Sequence, residues 1–171
     1  MTHDELMNSF STGCDVGCKK NSKGNTEVWI GYKLHLDVID GDIPVSSLLS
    51  SASVHDSQVA IPLAEVTHRR ITNCYDLMDS AYDSPIIRDH SRSLGHIEII
   101  DHNPRRGEKI QFDPAKKVRY NQRSSAERVN GRLKDEFGGR YVRVKGPAKV
   151  LAHLMFGVLA LTADQLLRLV S

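Results

Sequence analysis

Residues 26–54, TEVWIGYKLHLDVIDGDIPVSSLLSSASV, limit the fold most. Aromatic and β-branched residues stand in loose alternation as far as Asp40, the DGDIP turn follows, and an apolar run returns, which is the pattern of an antiparallel hairpin. HDSQVAIPLAEVTHRR then runs on helically from Asp56 or Ser57 as N-cap, with Pro62 either kinking the helix or marking a late start. ITNCYDLMDS is a strand candidate ending at Asp79. YDSPIIRDHSRSLG reads as a helix with Ser84 as cap, Pro85 at its first position and Gly95 just past its end, and HIEIID as a short strand. Strand, helix and strand after an antiparallel hairpin predict an α/β domain, a mixed sheet flanked by helices.

At 171 residues the chain is expected to form one domain, with residues 1–26 an irregular segment and 27–171 the packed part. Two helices close it, one around Glu127 and one from about Pro147 to Leu169, the second dense enough in apolar residues for core or interface packing. Its most apolar stretch, LMFGVLALTA, lies between His153 and Asp164 and is shorter than a bilayer span, so no membrane role is expected. Three cysteines and no signal peptide fit a reducing cytoplasm. Cys14 and Cys18 lie four apart with His3 upstream, but no second pair completes a zinc set.

The formal charge of +2 hides an asymmetry. Residues 105–149 hold fourteen Lys and Arg, Arg105 and Arg106 included, against five acids, a net of +9, while the remainder carries −7. A basic segment on an otherwise acidic chain predicts an anionic partner, of which nucleic acid is the commonest; a merely solvated basic face is the alternative.

Within that segment, YNQRSSAERVNGRLK places one carboxylate, Glu127, among cations. If residues 120–137 are helical, the 100° step sets Tyr120, Arg123 and Lys134 within about 40° of Glu127 on one face. Ala126, Val129, Leu133 and Phe137 form an adjoining apolar stripe that can hold the helix to a sheet. Ser124 and Glu127 also match a capping box, in which Glu127 only bonds the Ser124 amide. Helix arithmetic alone leaves the two roles evenly weighted.

The order Tyr120, two residues, Arg123, three residues, Glu127, six residues, Lys134 resembles the Y-R-E-K signature of DDE transposases from bacterial insertion sequences, in the broad group named after insertion sequence four. GYKLHLDV, SASVHDSQ and LMDSAYDS resemble, in the same order, three further segments of that catalytic domain, with Ser53 where Asn is usual and Ala81 where Gly is usual. The resemblance implies a ribonuclease H-like fold, with Asp79 and Glu127 as catalytic, metal-binding carboxylates for Mg²⁺ (or Mn²⁺). It implies DNA, both transposon ends and target, as partner. Arg123 and Lys134 would hold the backbone beside Glu127, Tyr120 would position the strand, and Arg128 and Arg132 would add to the DNA surface; homodimerisation is an option.

Other candidates have plainer roles. On a strand Asp76 faces away from Asp79, Asp83 belongs to the turn before Pro85, and His55 with Asp56 reads as a helix start with a supporting place near the site. Lys33 and His35 alternate on one strand face and either approach the substrate or pack. The family's first catalytic aspartate has no convincing equivalent, since Asp4 and Asp15 fall where no strand is expected. The chain is therefore expected to be the C-terminal part of a transposase catalytic domain, incomplete at its N-terminus and inactive alone. A noncatalytic DNA-binding or oligomerising remnant is the second reading, and an unrelated nuclease using paired carboxylates the third.

Overall fold

The computed structural model describes residues 5, 8–20, 24–104 and 108–171; His3, Asp4, Arg105 and Arg106 lie outside them. Three antiparallel strands come first: β1 (Asp15–Lys20), β2 (Thr26–Ile39) and β3 (Ile43–Ser51), in the order β1-β2-β3. The expected hairpin is β2 and β3, with Tyr32 opposite Ser51 and Ile39 opposite Ile43. The 14-residue β2 serves two partners, because its first half pairs with β1, Asp15 opposite Gly31 and Lys20 opposite Thr26.

β1 corrects the expectation that residues 1–26 are irregular. Its sequence, DVGCKK, has little strand propensity, and the ladder to β2 supplies the order instead. Gly17 permits this close approach: a Cβ there would sit 2.6 Å from the Trp29 ring and 2.7 Å from the Ala52 carbonyl oxygen.

The next unit is helix α1 (Asp56–His68), strand β4 (Tyr75–Met78), a 3₁₀ turn (Ser80–Tyr82), helix α2 (Pro85–Ser93) and strand β5 (Ile97–Ile100). Pro62 lies inside α1 and is buried. Strands β4 and β5 pair in parallel, Met78 opposite Ile100. Among the described residues the five strands form two separate ladders rather than the single mixed sheet expected. Side chains from α1 bind the units: Thr67 Oγ1 donates to Asp37 Oδ2 of β2 at 2.6 Å, and Ala60 packs with Ile87 and Ile100.

Helices α3 (Pro114–Tyr120), α4 (Ser124–Asp135) and α5 (Pro147–Val170) complete the chain. The helix expected over 120–137 is interrupted by a 3₁₀ turn at Asn121–Arg123, so Tyr120 ends α3 while Glu127 rides on α4. The expected apolar stripe does hold α4 down. Val129 and Leu133 join Leu161 of α5 against Leu34, Leu36 and Val38, with Phe137 alongside. Leu49, Val150 and Leu154 extend this layer, and Leu48, Val54 and Val59 pack together where α1 meets β3. Fully burying a side chain such as Leu161 is worth roughly 1.5–3 kcal/mol. Helix α5 runs 24 residues, beyond the apolar core read from sequence, and by length and composition it is long and apolar enough to cross a membrane.

Candidate active site

Asp79 follows β4 directly. Its Oδ1 accepts from the Ala81 amide at 2.9 Å and caps the 3₁₀ turn, so the end of a strand and the start of a helical turn fix where the carboxylate points. Glu127 projects from the first turn of α4, whose Val129 and Leu133 are buried against β2 and α5. Between the two stands Arg123. Its Nη2 donates to Glu127 Oε1 at 2.9 Å, and its Nη1 lies 4.0 Å from Asp79 Oδ2. The Asp79 and Glu127 side chains remain 45% and 64% exposed, open to solvent and to a ligand.

Tyr120 joins this group despite the helix interruption. The Arg123 guanidinium is 5.6 Å from the Tyr120 ring centroid and Lys117 Nζ 5.4 Å, while the Phe112 ring lies 4.9 Å away. Burial pushes the Tyr120 hydroxyl up; Arg123 opposes this, and the negative fields of Asp101 and Asp79 reinforce it. Burial likewise raises the Tyr82 hydroxyl, with Asp56 and Asp79 adding to the effect. Lys134 is exposed on α4, two turns beyond Glu127 and so about 10 Å along the axis.

Arg128 and Arg132 are turned elsewhere. Arg128 makes a bidentate pair with Asp42 in the β2–β3 turn, at 2.8 and 2.6 Å, and also donates to Ser124 and Ser125. Asp42 holds a positive φ of 60°, so this pair pins a tight turn to α4. Arg132 pairs with Glu136 and with Asp164 of α5 and donates to Gln165 at 2.8 Å. Both arginines therefore tie α4 to its neighbours.

The capping-box role for Glu127 is not observed. The Ser124 amide already bonds the Asn121 and Gln122 carbonyls, because the chain enters α4 through helical turns rather than from an extended segment. His55 does cap: its Nδ1 accepts from the Ser57 amide at 3.3 Å, and Gln58 closes the box. Asp76 faces away from Asp79 into a largely buried pair with His96 Nδ1 at 3.1 Å. Burial acts against the Asp83 carboxylate, but the Asn103 amide and the Arg88 guanidinium hold it below its ordinary value, so Asp83 braces the turn as expected.

One acid near the site, Asp101, was not legible as such. Asp101 follows β5 as Asp79 follows β4, and its amide donates to the Met78 carbonyl at 3.1 Å, which brings the two acids level across the parallel pair. Lys109 Nζ donates to Asp101 Oδ2 at 2.6 Å. The Asp closing each of YDLMD and HIEIID was the available signal. Lys33 Nζ pairs with Asp56 at 3.1 Å and with the Val54 carbonyl, while His35 is buried against Ser50 at 2.8 Å; burial lowers the His35 pKa, opposed by Asp56 and aided by Lys33. Asp15, expected in a loop, begins β1 and accepts from Ser53 Oγ at 2.5 Å; with the Val16 amide this keeps its carboxyl below the ordinary value. Among the described residues, no three His, Cys, Asp or Glu converge in a way that could hold a metal ion.

A comparison with models of known families matches residues 10–163 to the transposase DDE domain. No curated protein and no solved structure matches the chain.

Proposed function

The chain belongs to the transposase DDE domain family, and from that premise we propose that it serves in cutting and joining DNA phosphodiesters, with Asp79 and Glu127 as its metal-holding carboxylates. The observation that carries this reading is the shared guanidinium: both carboxylates reach Arg123, from elements far apart in the chain. An exposed, oxygen-only pair suits Mg²⁺ or Mn²⁺. Held by Asp79 and Glu127, a bound ion would supply Lewis-acid stabilisation of charge on the phosphodiester oxygens. The cap on the 3₁₀ turn orients Asp79, and the buried stripe of α4 orients Glu127.

Tyr120, Arg123 and Lys134 are the residues we assign to the DNA backbone beside the carboxylates. Lys116 and Lys117, exposed on α3, extend the same basic surface, while Arg128 and Arg132 support it by holding α4 in place. The finer kinship, the insertion-sequence-four group with its ribonuclease H-like fold, rests on the spacing of Tyr120, Arg123, Glu127 and Lys134.

One observation favours a second reading. With two converging carboxylates and no group of three among the described residues, the chain by itself fits a DNA-binding role better than a complete two-metal site. Mn²⁺ binding followed by electron paramagnetic resonance tests the first reading. One weak site is expected, lost in both Asp79→Asn and Glu127→Gln; Mn²⁺ bound equally by the wild type and both variants would refute it.

A further inference from the structure

The outer edge of β3 is unpaired over two residues. Ser51 turns its N–H away from β2 to donate to the Ser11 carbonyl at 2.8 Å, whereas Ala52 turns its N–H inward to the Gly31 carbonyl at 3.2 Å. Alternation along an antiparallel strand then points the N–H and C=O of Leu49 and Ser47 outward as well. Beyond them the Val45 carbonyl accepts from Arg70 Nη1 at 2.5 Å. The edge is thus filled at both ends, and among the described residues no backbone hydrogen bond reaches the outward groups of Leu49 and Ser47. This stretch lies in a groove of about 540 Å³. On one face Ser47 bonds Met155 of α5 and Leu49 packs with Val150, Leu151 and Leu154, while Pro147 and Ala148 continue the wall. Leu48 faces the other way, to Val66 of α1, and the exposed Arg69 and Arg70 follow on that wall towards Val45.

We propose that this groove takes an extended peptide segment of a partner protein, antiparallel to β3, in which three apolar residues are followed by an acid. The edge supplies the backbone recognition, because the segment's residues opposite Leu49 and Ser47 each exchange a pair of N–H···O=C bonds with them. The walls supply the side-chain pattern, since residues opposite each other in a ladder share a face. The first and third residues meet Pro147, Ala148 and Leu151, the second meets Val66, and the fourth, opposite Ser46, reaches Arg69 and Arg70. Guanidinium groups at that end select a carboxylate. A fatty acid would suit the walls and the arginines but would leave four backbone groups unpaired beneath it. A second copy of β3 would set Ser50 opposite Ser46, with no acid for the arginines. The groove shares no residue with the carboxylate site.

Fluorescence anisotropy of the full chain with a fluorescein-labelled Thr-Val-Ile-Val-Glu amide should show saturable binding below about 1 mM. Exchanging the peptide's Glu for Lys should weaken binding by about tenfold. The double variant Arg69→Glu, Arg70→Glu should reverse that preference. The backbone bonds are read on the unaltered chain. N-methylation of either Val, whose N–H groups face β3, should abolish binding, whereas N-methylation of Ile, whose N–H faces away, should leave it within about twofold. No saturation, equal affinity for the Glu and Lys peptides, or indifference to the position of the N-methyl group would overturn the proposal. Decanoate bound where the peptide is not would assign the groove to a fatty acid, and a dimer in sedimentation velocity that excludes the peptide would assign the edge to a second copy. Either result overturns it too.

Discussion

Asp79 and Glu127, 48 positions apart, are held together by one cation: Arg123 Nη2 bonds Glu127 at 2.9 Å and Nη1 stands 4.0 Å from Asp79. Two carboxylates brought this close repel each other, and a guanidinium between them offsets the repulsion. On the reading proposed above, a divalent ion would have to displace it. Replacing it with a neutral side chain leaves the acids facing each other, at a cost of about 0.5 kcal/mol for an exposed pair of this kind.

Arg123→Gln should therefore melt slightly lower than the wild type in metal-free buffer at pH 7. Adding Mn²⁺ should raise its melting temperature more than that of the wild type, because no guanidinium has to be displaced. Differential scanning calorimetry with and without Mn²⁺ checks both, and an identical metal response in the two proteins would count against the bridging role.

Asp37 makes a second measurable signature. Burial raises its pKa above the ordinary 3.8, the Thr67 hydroxyl opposes, the Asp76 charge adds, and the Val38 amide and His96 oppose. The folded state thus binds the proton more tightly than the unfolded chain does. Its stabilising effect is complete below the unfolded value and is lost as pH rises through the raised folded value. Asp37→Asn keeps an acceptor for Thr67 but removes the titration. The variant should be more stable than the wild type at pH 7 and lose that advantage on acidification towards pH 3.8, as read from urea unfolding at several pH values. A stability difference that does not vary with pH would rule out the mechanism.

The sequence disclosed those elements whose signals are local. The β2–β3 hairpin, Pro85 at the head of α2, Gly95 after its end and the Val129–Leu133 stripe of α4 all carry their patterns within a few residues. Strand β1 was invisible, since DVGCKK is ordered by its ladder to β2 and by the gap that Gly17 leaves for Trp29. The break at Asn121–Arg123 has no proline or glycine to announce it. In the site, motif spacing singled out Asp79 and Glu127. Arg128 and Arg132 looked available for DNA because their partners, Asp42 and Asp164, lie 86 and 32 positions away. Long-range ion pairs leave no periodicity in a sequence.

The contact between α4 and α5 should tolerate no side chain at Gly157. A Cβ there would sit 2.5 Å from the Phe137 carbonyl oxygen and 3.0 Å from Leu133 Cδ1. Gly157→Val should destabilise the chain by about 1–3 kcal/mol through overpacking, although it removes a flexible residue from a helix. Because α4 carries Glu127, the substitution should also weaken Mn²⁺ binding. A variant with wild-type stability by chemical denaturation would show that the two helices are not packed as described.

DNA binding should depend steeply on salt and little on sequence, because the +9 segment acts through phosphates. With about six phosphate contacts, affinity should fall by something like 10³ between 50 and 200 mM salt. Lys134→Ala and Lys117→Ala should each lower the salt slope by about one unit. Arg128→Ala, whose partner is Asp42, should act mainly on stability. Fluorescence anisotropy on two unrelated duplexes gives all of these slopes, and flat titrations would remove the basis for a DNA surface.

Strand cleavage is the most demanding test, and its outcome follows from counting ligands. Two-metal chemistry needs ions about 3.5–4 Å apart with an acid between them. Asp79 and Glu127 share Arg123, while Asp101 is engaged by Lys109 and Asp15 by Ser53. The chain on its own should therefore not nick supercoiled plasmid with Mg²⁺ or Mn²⁺, and Glu127→Ala should be indistinguishable from the wild type. Nicking that disappears in Glu127→Ala would mean that a third acid reaches the site on binding DNA. Asp101 and Asp15 would be the residues to substitute next: Asp101 because it stands level with Asp79 at the ends of the parallel strands, Asp15 because it heads a strand paired with β2. Loss of nicking in one of those variants and not the other would identify the third ligand.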